Sequence, residues 1–113
     1  MPSNDKIVKN QGIKTIIKEY AQDDYRRNGV ERELIFDTEH DHYQIVNVGW
    51  EKEHRVYGCV LHIDIKQGKI WLQYNGTEIE FAEELVKLGV PKQDIVIGFH
   101  SEFMRKFTEY AVG

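Results

Sequence analysis

Hydrophobic positions follow two periods along the chain, and the change of period divides it. Ile13, Ile16, Ile17 and Tyr20 fall at i, i+3, i+4 and i+7, the stripe of one amphipathic helix. Ile7 and Val8 can begin that helix, Gly12 weakens its middle, and the charged run DDYRRNG closes it as a loop. Beyond the loop the period shortens to two. ELIFD, HYQIVNVGW, RVYGCVLHIDIK and KIWLQY read as four successive strands. No long crossover lies between them, so each neighbour is expected antiparallel.

Turn chemistry sets the expected register. Gln67-Gly68 stands where a two-residue hairpin needs positive φ. Lys66 then faces Lys69, Ile65 faces Ile70, Ile63 faces Leu72 and Leu61 faces Tyr74. Cys59 and Tyr57 continue this apolar face, which puts Cys59 on the core side as a small buried hydrophobe rather than a nucleophile. A two- or four-residue loop at Glu51–His54 pairs Trp50 with Arg55. Val46 and Val48 then face Cys59 and Tyr57 on the core side, while Tyr43 faces His62 and Asp41 faces Asp64.

After the fourth strand, Thr77 and Glu80 are spaced as a capping box ahead of Ala82, Leu85 and Val86, with Leu88 near the helix end. Gly89 is placed as its left-handed stop and Pro91 follows. DIVIGF reads as a short fifth strand, and Ser101 can cap a last helix carrying Phe103, Met104 and Phe107. The expected fold is α+β: an antiparallel meander of four to five strands, an N-terminal helix, a helix after the fourth strand and a short C-terminal helix.

Composition narrows the class. The chain has 113 residues, and repeats, low-complexity tracts and linkers are missing, so a single domain over 1–113 is expected. A domain of this size buries roughly two thirds of its unfolded surface. One cysteine cannot form an internal disulfide, which fits a reducing compartment, and neither a signal-peptide core nor a membrane-length apolar run is present. A cytoplasmic protein with no membrane contact is expected. The formal charge of −4 and the scattered cations, with only Arg26-Arg27 adjacent, weigh against DNA binding driven by phosphate neutralisation.

Candidate chemistry centres on EHDH, Glu39 to His42. Successive strand side chains point to opposite faces, so four donors in a row are not four ligands. His62 and Asp64 on the next strand are the available reinforcements for a zinc-type set. The expected register puts His40 and His42 on one face and His62 and Asp64 on the other, so no metal site and no cofactor are expected. His62, Asp64, His100 and Glu39 could serve as acids or bases, but G-x-S-x-G, Walker, H-E-x-x-H and G-x-G-x-x-G motifs are all missing. The expectation is a non-enzyme. The more informative surface is the second sheet face, taken to collect Tyr43, Ile45, His62, Asp64, Trp71 and Gln73 as an interaction surface. A tryptophan among polar groups there is an interface anchor unless the chain's own helices cover it.

The runs FDTEHDHYQIVNVGW, RVYGCVLHIDIKQGKIWLQ, ELVKLGVPKQDIVIGFH and the ending FTEYAVG resemble the XisI family, the fdxN-element excision controlling factors of cyanobacteria. The resemblance covers about Ile13 to Gly113. It implies a cytoplasmic accessory protein associated with excision of a DNA element during heterocyst differentiation, the rearrangement itself being performed by a separate recombinase. It also implies a XisH-like, endonuclease-fold partner. Self-association, direct DNA contact as a directionality factor, and a metal-dependent hydrolase built on the His/Asp set stay open as alternatives. The family supplies no catalytic residue to carry over, and H-x-D-I-K stands here as His62, Asp64, Ile65 and Lys66.

Overall fold

The computed structural model describes residues 4–22 and 29–113. The expected charged loop, apart from Gly29, lies outside the described residues. In chain order the elements are α1 (Asn4–Gln22), β1 (Val30–Asp37), β2 (His42–Glu51), β3 (His54–Lys66), β4 (Lys69–Asn75), α2 (Phe81–Lys87), a 3-10 turn (Lys92–Asp94), β5 (Ile95–Val96) and α3 (Glu102–Arg105). The five strands lie in the order β1-β2-β3-β4-β5. The first four form the expected antiparallel meander, and β5 adds parallel to β4 after the α2 crossover.

Gln67 and Gly68 have φ of 53° and 76°, the double positive of a type I′ turn. The register runs as expected from Lys66↔Lys69 to Ile63↔Leu72 and then shifts, leaving Gln73 as an extra residue, so that His62 faces Tyr74 and Leu61 faces Asn75. A second shift lies between β2 and β3. Trp50↔Arg55, Val48↔Tyr57 and Val46↔Cys59 hold, but Val60 is then skipped and Ile45 pairs with Leu61, Tyr43 with Ile63. The Val60 carbonyl instead accepts from Gly76 N–H at 2.7 Å.

Each bulge inserts one residue and so reverses which side chains point inward. The expected core face is therefore corrected in two places. Tyr43 and Ile45, placed on the second face from sequence, are fully buried in the core. Tyr57, Cys59 and Tyr74, placed in the core, are exposed, and Val46 and Val48 turn outward with them.

One face of the sheet carries the helices. Ile13, Ile16 and Ile17 of α1, with Phe81, Ala82 and Leu85 of α2, pack on Tyr43, Ile45, Leu61, Ile63, Ile65, Ile70 and Leu72. Full burial of each such aliphatic side chain contributes about 1.5–3 kcal/mol before entropy is counted. Among the described residues, Lys9 is the one lysine buried in this layer. Its ammonium donates to the Gly68 carbonyl at 2.6 Å and pairs with Asp94 at 3.2 Å, tying α1 to the hairpin turn.

Helix α2 begins at Phe81, without the capping box. Thr77 is engaged in a turn of its own: its N–H and Oγ1–H donate to Asn75 Oδ1 at 2.9 and 2.6 Å, and its Oγ1 accepts from Ile79 N–H at 3.1 Å. Short polar side chains offer the backbone this alternative to a helix. The stop at Gly89 is as expected. Its φ is 100°, and Gly89 N–H to Val86 O with Val90 N–H to Leu85 O closes a Schellman motif. Ser101 Oγ accepts from Met104 N–H at 3.2 Å as the cap of α3, a single turn on which Phe103 and Met104 stay exposed, as does Phe107 beyond it.

Candidate functional site on the open sheet face

Neither α1 nor α2 covers the second face of the sheet. Alternation from the buried Tyr43 and Ile45 sends His42, Gln44, Val46, Val48 and Trp50 outward, and their pairing brings Asp64, His62, Cys59, Tyr57 and Arg55 beside them. Ile35 of β1 faces Gln44 and lies on the same side. Ile35, Trp50, Tyr57 and Tyr74 are exposed large side chains of this surface, Tyr57 at 72%. Arg55 stands between two of them, its guanidinium carbon 5.3 Å from the Trp50 ring centre and 5.9 Å from that of Tyr57. A cation over aromatic faces at this distance is attracted by the ring quadrupole.

At the β4 side the C-terminal segment returns over Trp71. A Cβ at Gly98 would stand 3.3 Å from Trp71 Cε3, and one at Gly113 would stand 3.8 Å from its ring. The Arg105 guanidinium carbon and the Lys66 ammonium lie 5.1 and 4.7 Å from the Trp71 ring centre. Trp71 is therefore half-buried beneath its own chain's tail, not under a core helix. Phe99, Phe103, Met104, Phe107 and Val112 of that tail are exposed, and the Phe103 and Phe107 rings are 5.3 Å apart.

Between these regions lies a polar cluster. His42 Nδ1 is 2.7 Å and His62 Nε2 is 2.9 Å from the same Asp64 oxygen, Oδ1, while Gln73 Nε2 donates to Oδ2 at 3.1 Å. Asp64 is buried, His62 is partly buried and His42 is exposed. Burial alone would raise the Asp64 pKa, but hydrogen bonds from His42, His62 and Gln73 and the His62 charge outweigh it, and the carboxyl lies below its ordinary value. The Asp64 hydrogen bond raises His42 above the ordinary imidazole value, against a smaller opposing effect of burial.

This cluster corrects the register read from sequence. His42 and His62 were expected on opposite faces; the Val60 bulge changes the parity and brings both onto Asp64, while Gln73, expected on the face of His62 and Asp64, reaches the carboxylate from there. His40 does not join. It stays in the β1–β2 turn with Nδ1 2.9 Å from Asp37 Oδ2. Glu39 lies in that same turn with its N–H on Asp37, and the His100 ring packs on Phe99 at 4.9 Å. Of the six surface residues expected, His62, Asp64, Trp71 and Gln73 share a neighbourhood, and Tyr43 and Ile45 do not. Sequence reasoning missed His42, Trp50 and Tyr57 on this face. The adjacent apolar residues Ile45-Val46 and Cys59-Val60-Leu61 fit either register, so alternation alone did not point to the bulge.

Fold and site together define a small α+β domain with one helical layer and an open, aromatic-rich sheet face. The family described as XisI protein matches residues 4–112, and the chain belongs to that family. A XisI-like protein from Anabaena variabilis ATCC 29413 is similar at 47% identity, with a TM-score of 0.90 over 96% of this chain and 99% of that one. The fdxN element excision controlling factor XisI of the same organism is similar at 31% identity, with a TM-score of 0.86 over 97% of this chain and 100% of that one. No curated protein matches the chain. Among the described residues, no helix is long and apolar enough to cross a membrane.

Proposed function

We propose that this chain is a non-enzymatic, cytoplasmic controlling factor of the XisI kind, acting by binding a XisH-like protein partner through its open sheet face. The observation that carries the proposal is the set of exposed aromatics on a sheet face that the core helices leave bare. Exposed apolar patches rimmed by polar groups mark interaction sites, and aromatic residues flanked by arginine are the side chains that dominate binding energy. His62, Asp64, Trp71 and Gln73 form the β4 margin of the surface, with Trp50, Tyr57 and Arg55 at its other end. The role follows the XisI relative named as an fdxN element excision controlling factor: regulation of the excision of a DNA element, with the chemistry left to another protein. Direct DNA binding is disfavoured by the charge of −4 and by the exposed acids Glu31 and Glu33 beside this face.

Co-expression with the XisH-like protein tests the proposal. The two should co-purify and remain together on size exclusion at micromolar concentration. Failure to associate with both proteins folded would overturn it. Sedimentation of the chain alone distinguishes a second copy on the same face, and a gel shift at low salt on element-border DNA distinguishes direct DNA contact.

A further inference from the structure

We propose that His42, His62 and Asp64 form a binding site for a divalent transition-metal ion of the zinc class. Two imidazole nitrogens and one carboxylate are a donor set that holds such ions while leaving coordination positions open. The three ligand atoms lie within 4.8 Å of one another. Donors around one ion with bonds of about 2.0–2.2 Å stand roughly 3.0–3.5 Å apart. The His42 and His62 nitrogens, at 2.7 and 2.9 Å from Asp64 Oδ1, need to back away from it by a few tenths of an ångström, and the two nitrogens, within 4.8 Å of each other, need to draw together around the ion. Rotation of the two imidazole rings supplies this adjustment, because both rings reach solvent while Asp64 is the buried member.

The supporting shell is already in place. Gln73 Nε2–H holds Asp64 Oδ2 at 3.1 Å, which leaves Oδ1 as the metal-facing oxygen and fixes the carboxylate plane, the role that outer hydrogen bonds play at metal centres. Binding needs the lone pairs of His42 Nδ1 and His62 Nε2. Each ring then keeps its proton on the other nitrogen, and any proton now shared with Asp64 is released to water. The open positions face solvent on the His42 side. This assignment stands apart from the partner proposal, since it needs no second protein.

The test uses tag-free full chain titrated with zinc in competition with a chromophoric chelator, and cobalt substitution read by visible absorption. One ion per chain is expected, with imidazole-dependent cobalt bands. His42→Ala and His62→Ala should each weaken zinc by about tenfold or more, and Gln73→Ala by about tenfold as the supporting residue. His40→Ala, two residues away but bonded to Asp37, should leave affinity unchanged. His42 is exposed, so its alanine variant keeps the fold and its melting curve checks that. Absence of zinc binding at about 100 μM, or binding that His42→Ala leaves intact, would overturn the site.

Discussion

Replacing Ile45 and, separately, Tyr57 by alanine tests the bulged register that creates the open face. In an unbulged pairing Tyr57 packs in the core and Ile45 faces outward. In the structure Ile45 is fully buried among Leu61, Ile63 and the α1 isoleucines, while Tyr57 is 72% exposed. Removing three carbons from a fully buried isoleucine loses their transfer energy and leaves a cavity, about 2–5 kcal/mol. Tyr57→Ala removes β-propensity and its contact with Arg55, together about 1 kcal/mol or less. For a mid-range urea m-value of about 2 kcal/mol/M, Ile45→Ala should lower the midpoint by about 1–2.5 M and Tyr57→Ala by about 0.5 M or less. Equilibrium urea unfolding followed by tryptophan fluorescence and circular dichroism measures both. If Tyr57→Ala proves the more damaging, the inversion at Val60 is wrong, and with it the joining of His42 to Asp64.

Two further outcomes follow from packing and charge. Lys9→Met keeps the buried stem but loses the donor to Gly68 O and the pair with Asp94. With Asp94 about a third exposed, screening limits the loss to about 1–3 kcal/mol in the same urea assay. Lys92 pairs with Glu109 at 2.9 Å, and this hydrogen bond and charge hold the Glu109 carboxyl below its ordinary value of 4.5. A depressed folded pKa contributes stability above the unfolded value and loses it as pH falls through the folded one, so this tether of the C-terminal segment weakens only below pH 4.5. A carboxyl NMR titration should show the low midpoint, and Lys92→Ala should restore it; an unchanged midpoint in that variant would rule the pair out as the cause.

Much of the fold was legible because turn chemistry and periodicity agreed. The Gln67-Gly68 turn and the lysines beside it fixed four consecutive pairs, and Gly89 ended α2 where a left-handed residue was needed. The bulges were not legible to alternation, because one inserted residue changes every later parity while leaving the composition of the strand unaltered. That single effect moved Tyr43 and Ile45 inward, moved Cys59 and Tyr57 outward and joined His42 to His62. Thr77 misled for a different reason: its hydroxyl had two local backbone uses, and the Asx-type turn with Asn75 prevailed over the helix cap. The position of Trp71 depended on the C-terminal tail returning over the sheet, a long-range contact to which neither period nor spacing points.

The most direct test of the proposed function is the affinity of the XisH-like partner for the wild-type chain and for the Trp50→Ala/Tyr57→Ala double variant, measured by titration calorimetry. Both side chains are more than half exposed, so the variant should unfold at nearly the wild-type urea concentration. The account predicts a complex with the wild type and a loss of roughly 30-fold or more in the variant, the scale of one aromatic hot spot worth about 2 kcal/mol. An equally tight complex with the folded variant would contradict the claim that the open sheet face is where this protein binds its partner.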